Sequence, residues 1–338
     1  MANNSLITSI GSINNTSSTP LALGTAYNTK YATYLKLFSG EMFKAYESAT
    51  IAKGTIMSRS LKSGRSAQFI FTGRMTAAYH EPGTPILGSG DPPVAEKTIQ
   101  MDDLLVASAF VYELDETLAH YDLRSEISKK IGHALAESYD KKIFRTIALA
   151  AREAHPITAA PGPEPGGSVI QLGSGNEYDA QSLVDAFFEA ASVLDEKNVP
   201  KEGRHAVLSP RQYYALISQV DTNILNRDYG ATGGNMNSGQ GLYEIAGIKI
   251  KTSNNLPFLA GTVNAVTGEN NDYTGDFSSH CGLIYQKECA GCLEALGPQV
   301  QVSGSDVKVM YQGDLIVGRM AMGVGTLNPA AAIELQAA

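Results

Sequence analysis

Two strand-like runs, Arg59 to His80 and Val94 to Glu113, flank a stretch loaded with proline and glycine, EPGTPILGSGDPPV. In the first run, Gln68, Phe69, Ile70, Phe71 and Thr72 give way to Arg74, Thr76 and Tyr79. β-Branched and aromatic residues bounded by Gly and Pro clusters are the sequence sign of a long hairpin. An isolated two-stranded hairpin is marginal in water. Such an arm therefore needs a surface to lie on, and the expected surface is a neighbouring copy of the same chain.

At 338 residues, with 43% hydrophobic content, the chain can bury a real core in one elaborate domain or two ordinary ones. Only 18% of its residues are charged, below the ~25% of ordinary soluble domains, which points to surface covered by partners. The net charge is −8 and no segment shows a run of Lys or Arg. Nucleic-acid binders carry a basic patch; this chain shows none, so if it sits near DNA it is expected to contain or tolerate the DNA rather than grip it. It has no apolar stretch of about eighteen residues and hence no expected membrane span. MANNSLITSIGSINNTSSTP has neither a basic leader nor an apolar centre and does not read as a signal peptide. Three cysteines, all between Cys281 and Cys292, make a disulfide framework improbable and suit a cytosolic origin.

Residues 1–26 are rich in Ser, Thr, Asn and Gly, as in a partner-ordered arm. From Asn28 to Ala49, Tyr31, Leu35, Phe38, Met42, Phe43 and Tyr46 recur at helical spacing. After the hairpin comes the strongest helix signal: Asp122 as N-cap, then Leu123, Ile127, Ile131, Leu135, Tyr139, Ile143 and Ile147 every four residues, continuing to about His155. A helix this long reads as a spine touched by different neighbours along its length. PITAAPGPEPGGSVIQLGSGNEYD is too dense in Pro and Gly for regular structure and marks a boundary. Beyond it, Leu183, Val184, Phe187, Phe188, Ala191 and Leu194 mark an amphipathic helix. HAVLSP reads as a buried strand, Pro210 to Val220 as a helix, IAGIKIKTS as a strand, 256–282 as irregular, and Gly282 to Tyr285, Val300 to Val309 and Asp314 to Val324 as strands. This order is α+β with two extended projections, not the alternation of a doubly wound enzyme fold.

No chemistry-bearing motif competes strongly. His280, Cys281, Cys289 and Cys292 offer the ligand types of a zinc site, but one CxxC is weak and free Cys is often simply buried. YGATGGNMNSGQG lacks the Gly-Lys-Ser/Thr ending of a phosphate loop. Asp102, Asp103, Glu113, Asp115 and Glu116 read as solvated charges at strand ends rather than as an acid–base pair. No catalytic, cofactor-binding or metal residues are expected.

The runs SLKSGRSAQFIFTGRMTAAYHEPG (Ser60 to Gly83), EKTIQMDDLLVASAFVYELDE (Glu96 to Glu116) and HYDLRSEISKKIGHALAESYDKKIF (His120 to Phe144) resemble the major capsid proteins of short-tailed, autographivirus-type bacteriophages. KNVPKEGRHAVLSPRQYYALI, GIKIKTSNNLP and GRMAMGVGTLNPAAA extend the resemblance over most of the chain in the family's order. The resemblance implies a Hong Kong 97-like capsid fold. Residues 1–58 would be the N-terminal arm, 59–117 the extended hairpin loop, 118–177 the peripheral domain with its spine helix, 178–295 the axial domain, and 296–338 the return strands of the peripheral domain and the C-terminus.

The implied function is structural: self-assembly into hexamers and pentamers of an icosahedral phage head, without covalent crosslinks. Each hairpin would lie across the adjacent subunit, with Phe69, Phe71 and Tyr79 as apolar contacts and Arg65, Arg74 and Glu81 as ionic ones. The implied partners are other copies, a scaffolding protein and a portal during assembly in the host bacterial cytoplasm. Packaged double-stranded DNA would be enclosed without specific binding, and no membrane is involved. The alternatives are an encapsulin-like compartment, which shares the fold but holds enzymes, and a soluble α+β enzyme with a Cys-centred metal site.

Overall fold

The four-residue apolar repeat folds as one 30-residue helix, α1 (Leu123–Arg152), about 45 Å long at 1.5 Å per residue. The computed structural model describes residues 41–42, 44–46, 49–73, 77, 79–83, 85, 93–114, 123–157, 164–219 and 244–337. The arm at 1–26, the Asp122 cap and the glycine-rich loop expected at 229–241 lie outside these residues, as does most of the 28–49 helix. By internal contacts the chain forms two units. One comprises Met1–Thr50, Leu104–Ser138 and Leu296–Ala321; the other comprises Ile51–Asp103, Tyr139–Ala295 and Met322–Ala338.

In the first unit, β4 (Leu105–Tyr112) pairs antiparallel with β13 (Gly313–Thr326), in register from Tyr112↔Gly313 to Leu105↔Met320. The first half of α1 buries Ile131 and Leu135. Gly132 lets the backbone at Met42 approach: a Cβ there would stand 2.8 Å from the Met42 carbonyl oxygen. The strand expected over Val300 to Val309 is only partly right. β12 (Ala290–Val302) ends before helix α4 (Ser305–Tyr311), which closes with Gln312 in the left-handed region at φ 52°. Ser303 and Leu315 are tied by two hydrogen bonds of 2.9 and 3.0 Å. The chain must reverse between β12 and β13, and that constraint overrides the strand preference of Val307 and Val309.

The second unit is built on a six-stranded mixed sheet in the order β5-β14-β11-β6-β8-β7. Its strands are β5 (Ser168–Gln171), β6 (Arg204–Leu208), β7 (Glu244–Ile245), β8 (Ile248–Thr252), β11 (His280–Gln286) and β14 (Ala332–Gln336). Every residue of β11 is buried. Helix α2 (Ala180–Glu196) starts at Asp179, whose side chain accepts from the Ser182 N–H at 2.9 Å, and it buries Leu183, Val184, Phe187 and Leu194. Phe188 instead faces outward. Helix α3 (Pro210–Gln219) follows β6. A small pair, β9 (Thr262–Val263) and β10 (Gly275–Asp276), interrupts the region expected to be irregular.

The Pro- and Gly-dense segment also contains regular structure: β5 pairs in parallel with β14. Its glycine is needed for close passage, since a Cβ at Gly167 would lie 2.2 Å from the Ala151 carbonyl oxygen at the end of α1.

The long hairpin is corrected more substantially, because each predicted strand breaks in two. β1 (Met57–Ser60) pairs in parallel with β12, from Met57↔Gly291 to Ser60↔Glu294. Only β2 (Ser66–Thr72) and β3 (Val94–Gln100) pair with each other, from Ser66↔Gln100 to Thr72↔Val94. These seven-residue strands span about 23 Å. The break falls at Leu61–Arg65, where Gly64 takes φ 92°, and at Met101–Leu104, which leads into β4. The Met101 N–H closes the hairpin base on the Arg65 carbonyl at 2.8 Å.

Candidate intersubunit surfaces

The β2–β3 hairpin has two unlike faces, because successive strand residues point to opposite sides. Ala67, Phe69 and Phe71 share one face with their register partners Ile99, Lys97 and Ala95. That face is turned onto the chain itself. Ile99 is buried beside Gly291 and Gly325. Lys97 donates to both carboxylate oxygens of Glu153, at 2.6 and 2.8 Å, and also to Thr326 Oγ1. The Phe71 ring meets His155 edge-on with centroids 6.1 Å apart, and burial holds that imidazole below its ordinary pKa.

The other face is open. Ile70 is 71% exposed and Val94 62%, and they stand diagonally across the two strands, with Glu96 opposite Ile70. Further along, Tyr79 is fully exposed. An aliphatic pair held toward solvent on paired strands, with an exposed aromatic ring further along the chain, is the kind of surface an intersubunit contact uses.

The hairpin is anchored at Asp102, in the turn between β3 and β4. Its Oδ1 accepts from the Asn270 N–H and the Asn271 amide, each at 3.0 Å, and its Oδ2 from Tyr273 OH at 2.7 Å and Lys142 Nζ at 3.0 Å. Tyr273 OH in turn accepts from the Val324 N–H at 2.9 Å. Burial, then the Asp102 charge, pushes the Tyr273 phenol well above its usual range. Asp102 is therefore a buried pin, not the solvated strand-end charge that the sequence implied. Its neighbour Asp103 fits the solvated description, with an exposed contact to Arg65 at 3.3 Å.

Of the contacts expected from sequence, Arg65, Tyr79 and Glu81 are exposed, while Phe69 and Phe71 are half-buried on the inward face. Arg74 lies outside the described residues. Ile70 and Val94, exposed on the open face, are not among the residues expected from sequence, because QFIFT is apolar on both faces and alternation cannot say which face meets the parent chain.

The cysteine-rich stretch is interior. Burial pushes the Cys281 and Cys292 thiols up to about 12 and raises Cys289 further. His280 Nδ1 lies 2.6 Å from Glu334 Oε1, and Arg152 binds the same carboxylate through Nε at 2.6 Å and a terminal nitrogen at 2.5 Å. Among the described residues no three His, Cys, Asp or Glu side chains gather as metal ligands.

A family model described as "Gp10A-like: Major capsid protein" matches residues 69–336. The chain belongs to that family of major capsid proteins. It is 26% identical over 336 residues to the major capsid protein of Escherichia phage T7, covering 91% of this chain and 92% of that one. The capsid structure of the cyanophage P-SCSP1u superposes with a TM-score of 0.75 at 35% identity, over 86% of this chain and 88% of that one. A virus-like particle from Pyrococcus furiosus shares the fold at 13% identity and a TM-score of 0.55, over 89% of this chain and 99% of that one. The α+β fold is thus the Hong Kong 97-like capsid fold, and the chain is a major capsid protein of phage heads.

Proposed function

We propose that copies of this chain form hexamers and pentamers that tile a closed icosahedral head around double-stranded DNA. In each ring the β2–β3 hairpin lies across the adjacent subunit through Ile70, Val94 and Tyr79, with Arg65 and Glu81 as polar contacts. The observation that carries this reading is the outward apolar face of a hairpin whose other face is fastened to its own chain. Water favours covering that face, and a capsid family supplies the covering surface as another copy. The pair Arg65–Asp103 is exposed on both sides, so its low intrinsic worth lets either partner turn to a neighbour.

Assembly proceeds in the host cytoplasm with a scaffolding protein and a portal, and the shell is held noncovalently. The net charge of −8 suits a container that DNA must enter and leave, since phosphate contacts convert directly into affinity. The likeness to the Pyrococcus particle extends to fold alone, so a phage head is favoured over a cargo compartment. Electron microscopy of the chain expressed with and without its scaffolding protein tests the reading. Closed heads are expected with the scaffold; a chain that stays monomeric in both conditions overturns it.

A further inference from the structure

The second unit carries two exposed patches of unlike charge on opposite sides of its six-stranded sheet, one at Asp185 and Glu189 of α2 and one at Lys249 and Lys287, although Lys201 and Arg211 also stand exposed on the α2 side. Arg204 and His205 are neighbours on β6 and point to opposite sides. Arg204 reaches Asp195 of α2 at 2.7 Å, which puts α2 on the Arg204 side. His205 stands on the other side next to Tyr285, whose hydroxyl meets Thr55 Oγ1 at 2.9 Å.

Helix α2 contains the acids Asp185, Glu189, Asp195 and Glu196 and no Lys or Arg. Asp185 and Glu189 lie one turn apart on its solvent side, and Phe188 beside them is 56% exposed. Across the sheet, Lys249 is in register with His205, and Lys251 with Val207, so both lysines share the His205 side. Lys287 joins them from the turn after β11. Burial first, then the charges of Lys251, Lys249 and Lys287, disfavour protonation of His205, whose Nδ1 is buried without a partner among the described residues. Lys251 is engaged by the Ile51 carbonyl at 3.2 Å. Lys249 and Lys287 are both exposed, and Glu244 stands opposite Lys249 across β7 and β8.

We propose that α2 of one copy docks on the Lys249 and Lys287 side of the next copy's sheet, with Phe188 as apolar anchor and Asp185 and Glu189 facing the lysines. This inference rests on the ring-forming reading above and names the surfaces that make the ring. Two complementary surfaces on opposite sides of one sheet repeat head-to-tail, which is the contact type that closes rings. A two-fold contact would bring like charges together. An aromatic anchor rimmed by charge has the anatomy of an interface hot spot. Packaged DNA could neutralise the lysines too, but it leaves the acidic, Phe188-bearing side unexplained.

The test expresses two charge-reversed forms with the scaffolding protein. One carries Asp185→Lys with Glu189→Lys; the other carries Lys249→Glu with Lys287→Glu. Each alone should lower particle yield roughly tenfold, because like charges then face each other. Mixed together, each form's α2 meets the other's sheet, so six-membered rings return, whereas five-membered rings cannot alternate and closed shells stay rare. Phe188→Ser, an exposed substitution that spares the fold, should also lower yield. Wild-type yield from either reversed form or from Phe188→Ser overturns the docking, as does a mixture no better than its parts. Lysine-reversed shells that form normally but hold less DNA would assign the lysines to phosphate and likewise overturn it. If the wild-type chain forms no closed particles at all, the failure lies in the ring-forming reading instead.

Discussion

Lys142 Nζ meets Asp102 Oδ2 at 3.0 Å inside the base of the hairpin, with the two side chains only 12% and 2% exposed. The same ammonium lies 3.5 Å from Glu269, so it sits between two carboxylates. Asp102→Ala leaves Lys142 with Glu269 and the Asn271 amide with the Gln100 carbonyl, but strands the Tyr273 hydroxyl proton and the Asn270 N–H. Breaking a buried, fully bonded carboxylate site typically costs about 3 kcal/mol. Urea unfolding of the isolated chain should show that loss, and the hairpin should become the first segment to exchange amide hydrogens.

Glu334 gives the fold an acid limit. Burial opposes its charge, but bonds from Arg152 and His280 hold its carboxyl below the ordinary 4.5. A group depressed in the folded state contributes stability above its unfolded pKa and loses it as pH falls through the folded value. The urea midpoint should therefore fall as pH drops below about 4.5 and stay flat above it with respect to this group. Glu334→Gln should remove that component and lower stability at neutral pH, since Arg152 loses its buried partner.

The two faces of the hairpin should respond differently to substitution. Ile99→Ala, on the buried face, should cost about 3 kcal/mol of subunit stability. Ile70→Ser with Val94→Ser, on the open face, should change stability by no more than about 0.5 kcal/mol. Sedimentation should nonetheless show fewer assembled particles for that double variant. Equal effects on both measurements would mean the outer face has no partner.

The thiols should be silent in the native chain. Burial raises all three, with Cys281 and Cys292 near 12, so thiolate is scarce at pH 8 and reagent access is blocked. A chromogenic disulfide reagent should titrate three thiols after denaturation and almost none before.

Long apolar periods were legible in the sequence: α1, α2, β6, β8 and β13 fall close to where their patterns put them. The breaks in the hairpin strands were not, because the residues at 57–60 and 105–112 are as strand-like as those at 66–72. What divides them is the partner each finds, β12, β13 or the opposite hairpin strand, and a partner distant in sequence leaves no local mark. β5 was hidden for a similar reason: four residues in a Gly-rich setting become a strand only because β14 offers an edge. The Asp102 pin draws its donors from residues 142 and 270–273, a convergence that spacing along the chain does not encode.

β14 follows every other described strand in chain order, yet it lies inside the sheet, between β5 and β11. During synthesis, β11 must wait with one edge unpaired until residues 332–336 have left the ribosome. The nascent second unit thus keeps an open edge in its core sheet until residues 332–336 have been made, so any fragment that stops before Ala332 leaves β11 half-paired.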